Sequence, residues 1–165
     1  MKIILFDLGQ TLEDHDVLLP GAVDLLSAIK GMRDSNNEPP FIALVSNFEK
    51  ANTPEEIGPI RNKYFRILDK LKIRSFFEPV EERVTLSTEV CVEKPHIRIF
   101  RTAVDKIQKD LSFGNVIFIT ENKEHIDKAG GYGMATIHFK PPGQTNGDVD
   151  SLTKMIPKIN EFLST

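Results

Sequence analysis

Five polar residues in this chain stand directly behind apolar runs. Lys2-Ile3-Ile4-Leu5-Phe6 ends at Asp7, residues 41–45 end at Ser46 and Asn47, and residues 116–120 end at Glu121 and Asn122. Short, nearly continuous apolar runs predict parallel strands covered on both faces. In a parallel sheet such strand ends converge on one edge, and that edge is where ligands bind. Lys94, just before Pro95 and a predicted helix, reaches the same edge. Two carboxylates facing each other repel unless a divalent cation or a lysine lies between them. A serine hydroxyl and a helix N-terminus donate to phosphate oxygens. The chemistry this set could do is therefore oxyanion binding with a carboxylate-held Mg²⁺. Any one of these residues alone is also what a turn or a helix cap uses; their concentration at one edge carries the reading.

The elements that must position them follow from periodicity. A fourth apolar run, residues 135–139, stops before Lys140-Pro141-Pro142. Pro20 opens a helix with Ala22, Val23, Leu25, Leu26, Ile29 and Met32 at helical spacing. Thr53-Pro54-Glu55-Glu56 reads as a capping box with Pro at the first helical position, but Gly58 and Pro59 interrupt that start and the main helix is expected to begin there. Its stripe is Ile60, Tyr64, Ile67, Leu68 and Leu71. Pro95 opens a helix carrying Ile97, Phe100, Ala103, Val104 and Ile107. A last helix runs from about Asp150, kinked or delayed by Pro157. Val84-Thr85-Leu86 reads as a short strand, and residues 33–40 as a polar loop. Strands alternating with helices predict an open α/β sheet with right-handed crossovers.

Composition sets outer bounds. The 165 residues fit a single domain, 1–165. A net charge of −3, from 21 basic and 24 acidic residues, gives no pull toward nucleic acid. No apolar run is long enough for a membrane span, and the N-terminus lacks a secretory pattern, so the expectation is a cytoplasmic protein. One cysteine, Cys91, rules out an internal disulfide framework or a thiolate zinc site.

Four segments together resemble the haloacid dehalogenase (HAD) superfamily. They are FDLGQTL at 6–12, LVSN at 44–47, EKPHIRIF at 93–100 and FITENKEHIDKAGGYGM at 118–134. In the last, Ile126, Ala129, Gly133 and Met134 fall in register with the family pattern, and LLPGAVDLLSAIK is similar to the helix before its second motif. The resemblance implies a HAD-like Rossmannoid three-layer α/β sandwich with a mainly parallel central sheet. It implies Asp7 as a nucleophile forming an aspartyl-phosphate and Ser46, with Asn47 beside it, as the phosphoryl-binding pair. Lys94 would neutralise charge, and Asp7, the Gly9 carbonyl and Glu121 would hold Mg²⁺. The intervals Asp7–Ser46 and Ser46–Lys94 hold no full cap domain, so the site is expected to be open. Family members of that kind act on large substrates or close their sites by homo-oligomerising.

Two departures from the family pattern bear on turnover. Its phosphatases carry a second Asp where this chain has Gly9, and Gly9 cannot move a proton. Glu121 replaces an Asp, and His125 stands where another Asp is usual; Glu124 would compensate. Glu13, Asp14, His15 and Asp16 follow the first motif where the family has a mobile flap. They read as a solvated acidic loop, although histidine, as at His15, is the residue type that serves as a proton relay. The expected function is a Mg²⁺-dependent phosphatase-type hydrolase, weak or narrow, acting on a phosphorylated small molecule or protein. The alternative is a degenerate module that binds such a ligand without turnover. A signalling receiver domain ranks below both, because Asp7-Leu8 is not an acidic pair. A dinucleotide-binding domain does too, because Gly130-Gly131-Tyr132-Gly133 follows a helix instead of a first strand.

Overall fold

Each long strand of the sheet is apolar on both faces, because each face meets a helix layer. The computed structural model describes residues 1–141 and 147–165, so Pro142 lies outside the described residues. The central sheet comprises β1 (Ile3–Phe6), β4 (Phe41–Ser46), β5 (Val84–Leu86), β6 (Val116–Thr120) and β7 (Ala135–His138). All its pairings are parallel, in the order β5-β4-β1-β6-β7. Ile4 and Phe6 of β1 enter one core, with Ile42, Leu44, Ile117 and Ile119. Ile3 and Leu5 enter the other, with Ala43, Val45, Val116 and Phe118. This two-sided burial, worth roughly 1.5–3 kcal/mol per large apolar side chain, is the reason the runs do not alternate.

The first core is covered by α1 (Ala22–Gly31), α2 (Pro54–Lys70) and α7 (Met155–Leu163). The second is covered by α5 (Ile97–Asp105) and α6 (Lys123–Gly131). The result is the three-layer α/β sandwich expected from the sequence. A two-stranded hairpin, β2 (Glu13–Asp14) with β3 (Val17–Leu18), follows the first strand. Two one-turn helices, α3 (Val80–Arg83) and α4 (Ser87–Val90), flank the edge strand β5. Between Asp7 and Ser46 the chain makes only the hairpin and α1, and between Ser46 and Lys94 only α2, short helical turns and β5. No cap domain stands over the strand ends among the described residues. Among the described residues, no helix is long and apolar enough to cross a membrane.

Several boundaries differ from the sequence reading. Helix α2 begins at Pro54 and runs through Pro59. Pro59 costs the helix one hydrogen bond, and burial of Tyr64, Phe65 and Leu68 holds it together. The capping box does not close: Thr53 makes no side-chain cap, and Glu56 instead accepts from the Asn52 N–H at 2.7 Å. Helix α5 begins two residues after Pro95, capped by the His96 ring, which accepts from the Arg98 N–H at 3.1 Å; Ile107 lies beyond its end. A 3₁₀ turn at Leu152–Lys154 precedes α7. Pro157 is therefore in the first turn of α7, where its missing N–H is no loss.

Candidate active site

The strand order reverses direction at β1, which has β4 on one side and β6 on the other. The crevice beyond such a strand is the natural ligand site of an open α/β sheet, and Asp7 is the first residue in it. Its N–H donates to the Ile119 carbonyl at 3.0 Å, which continues the ladder one residue past β1 and fixes the backbone there. Its Oδ1 lies 2.5 Å from Lys94 Nζ and accepts from the Leu8 N–H at 2.9 Å. The Thr120 hydroxyl is 3.1 Å from Oδ2. The Lys94 side chain is 2% exposed and that of Asp7 13%. Desolvating such a pair is costly and is offset only when both ions are well bonded, as Asp7 is.

Asn47 lies at this edge but works on Lys94. Its Oδ1 accepts from the Lys94 N–H at 2.7 Å and its Nδ2 donates to the Lys94 carbonyl at 3.4 Å. Both polar ends of the amide thus clasp the lysine's backbone. Ser46 is buried, and its Oγ is 2.6 Å from the Tyr64 hydroxyl. Burial, the largest cause, drives the Tyr64 phenol far above its ordinary pKa, so it stays neutral. Either hydroxyl can donate in this pair; when the phenol does, the Ser46 proton is free to point into the crevice. The Phe48 ring meets Tyr64 edge-on at 5.0 Å.

Glu121 approaches Asp7 through one shared hydroxyl, that of Thr120. Its Oε2 accepts from Thr11 Oγ1 at 2.9 Å and lies 3.1 Å from Thr120 Oγ1. Its carbonyl is 2.9 Å from His138 Nε2. Thr120 has one proton and faces both carboxylates, so it can donate to only one of them at a time. Lys94 is bonded to Asp7, and Glu121 has no cationic partner among the described residues. Two carboxylates joined by one hydroxyl, with a single lysine as their cationic partner among the described residues, could hold a hard cation. Among the described residues, no three His, Cys, Asp or Glu side chains form a metal-binding cluster. Mg²⁺ needs no such cluster, since it keeps several waters and takes one or two carboxylates.

A cavity of about 220 Å³ opens over Asp7, lined also by Gly9, Glu13, Ser46, Asn47, Tyr64, Lys94 and His125 among others, while Glu121 stands outside its lining. Glu13 departs from the solvated loop expected of residues 13–16. It lines the cavity, and burial, ahead of its acidic neighbours, raises its pKa. His15 does follow the expectation: its side chain is 91% exposed and pairs with Asp14 at 2.8 Å. His125 lies partly buried over the cavity with no hydrogen-bond partner for Nδ1, and burial followed by the Lys94 charge lowers its pKa. Thr11, Thr120, Tyr64 and His138 join the site without having been singled out in the sequence. Thr11 and Thr120 lie inside the motif segments, whereas Tyr64 read only as part of an apolar stripe and His138 only as part of an apolar run.

No protein-family model matches this sequence, and no curated protein matches it. Solved structures match its fold. The family IA, variant 3 HAD hydrolase of Entamoeba histolytica superposes with a TM-score of 0.69 at 12% identity, over 99% of both chains. A HAD-superfamily hydrolase of Ehrlichia chaffeensis gives 0.66 at 15% identity, over 99% of this chain and 100% of that one. The proposed HAD-hydrolase YfnB of Bacillus subtilis, bound to magnesium, gives 0.64 at 17% identity over 87% of this chain, which spans 56% of YfnB. The fold is therefore that of the HAD-type hydrolases.

Proposed function

We propose that this protein is a Mg²⁺-dependent phosphohydrolase that works through a phosphoenzyme on Asp7. One observation carries the reading: the Asp7 carboxylate stands at the reversal point of the sheet, bonded to Lys94, with Glu121 brought to it through Thr120. The HAD-type fold supports it. Asp7 attacks phosphorus. Lys94 balances charge on Asp7 and on the phosphoryl oxygens, and Ser46 donates to one of them. The Asp7 and Glu121 carboxylates would hold Mg²⁺. When bound, the ion supplies further neutralisation of phosphoryl charge. The substrate is a phosphorylated small molecule or protein, received by an open crevice.

Gly9 favours the alternative, a module that binds phosphate without turnover. Phosphatase assays with and without Mg²⁺, paired with mass spectrometry for an acyl-phosphate, separate the two. The hydrolase reading expects Mg²⁺-dependent release of phosphate and an adduct on Asp7 that is absent in Asp7→Asn. Activity that survives Asp7→Asn would overturn it.

A further inference from the structure

Gly9 has no side chain, yet the space beside it holds a carboxyl group. A Cβ built on Gly9 would have as its nearest heavy atom Oε1 of Glu13, at 3.6 Å. The loop geometry produces this approach. The Leu8 carbonyl accepts from the N–H groups of Thr11, Leu12 and Glu13, and the Gln10 N–H donates to the Glu13 carbonyl at 2.6 Å. The chain thereby curls back until Gly9 and Glu13 pair as an isolated bridge. Glu13 then opens a hairpin whose turn residues, His15 and Asp16, both have left-handed φ (49° and 63°), the pattern of a tight two-residue turn. That turn aims the Asp16 N–H at Glu13 Oε2, at 3.0 Å. One carboxyl oxygen is held by the turn, and the other is left beside Gly9 in the cavity shared with Asp7 and Ser46.

We infer that Glu13 is the catalytic acid and base of this site, supplying from the hairpin the carboxyl group that residue 9 lacks. The inference deepens the hydrolase reading and rests on it. In the first step an Asp7 oxygen bonds to phosphorus, the bond from phosphorus to the leaving oxygen breaks, and that oxygen takes the proton of the Glu13 carboxylic acid. In the second, water bonds to phosphorus and gives a proton to the Glu13 carboxylate. The bond from phosphorus to Asp7 then breaks, and inorganic phosphate leaves with both side chains restored.

Glu13→Gln tests this directly, because glutamine still accepts from Asp16 N–H and keeps the turn but cannot exchange the proton. Phosphoenzyme formation is measured in single turnovers with an alkyl phosphate and with nitrophenyl phosphate, whose leaving group needs little protonation. Glu13→Gln should slow the alkyl reaction by about 10²–10⁴-fold and the nitrophenyl reaction far less. Adding Gly9→Asp to Glu13→Gln should recover much of the alkyl rate, since Gly9 has no left-handed φ to forbid a side chain. In the wild-type background Gly9→Asp should gain little, because its carboxylate would crowd that of Glu13. An unchanged ratio of alkyl to nitrophenyl rates in Glu13→Gln overturns the acid–base role while leaving the hydrolase reading intact. A wild type that forms no phosphoenzyme from either substrate overturns the hydrolase reading, and the acid–base role with it.

Discussion

Lys94 and Asp7 make a pair whose cost and benefit can be measured apart. Losing the lysine leaves a nearly buried carboxylate with only the Leu8 N–H and the Thr120 hydroxyl. Lys94→Met should therefore destabilise the fold by about 3 kcal/mol. Asp7→Asn in the same background should return most of that loss, because the uncompensated charge disappears with it. Denaturant titrations of the two single variants and the double variant read the coupling; additive losses would show that the charges do not sense each other. The residues meeting here were legible unevenly. Asp7, Ser46, Lys94 and Glu121 could be found because each ends an apolar run or opens a helix, and one sheet edge gathers them. Tyr64 could not, since a tyrosine in a helical apolar stripe looks the same whether its hydroxyl faces solvent or a buried serine. Glu13 was hidden by its acidic neighbours: nothing in Glu-Asp-His-Asp tells which side chain the turn directs inward.

Single elements carry their own tests. Asn122 caps α6 by accepting the His125 N–H at 3.2 Å, so Asn122→Ala should cost about 1 kcal/mol, measurable in the same titrations. In the turn between α1 and β4, the Asp34 carboxylate accepts the N–H groups of Asn36 at 2.9 Å and Glu38 at 3.0 Å. These bonds, the Glu38 one foremost, hold its pKa below the usual carboxylate value. A lowered native pKa means that the stabilisation is complete above the unfolded value, about 3.9, and fades as pH falls through the native one. Asp34→Asn should accordingly be less stable than wild type at neutral pH, and the gap should narrow below about pH 4 in thermal melts. The strands were easy to place because burial on both faces leaves an unbroken apolar run. Helix starts were harder. Local signals put the start of α2 at Gly58-Pro59 rather than Pro54, but packing of Tyr64, Phe65 and Leu68 outweighed the lost hydrogen bond.

At the scale of the whole molecule, two separate cores clamp one sheet, and the smaller depends on its aromatic centre. Phe100 is fully buried and meets Phe118 edge-on at 5.0 Å. Phe100→Ala should cost about 4 kcal/mol, lowering the melting temperature by roughly 10 °C in calorimetry. The strand order also sets when the crevice comes into being. Ile3 meets Phe41 on one side of β1 and Val116 on the other. The β1–β4 pairing needs only residues up to 46, while the opposite edge of β1 has no partner until residues 116–120 are made. Non-local closure of this kind is slow and leaves a sticky edge in the meantime. Asp7 reaches Thr120 and Glu121 only when β6 pairs with β1, so the closing of that seam and the assembly of the acidic pair are one event. A chain stalled before that seam closes would hold Asp7 and Lys94 yet lack the second carboxylate, and activity would report finished folding as faithfully as any melting curve.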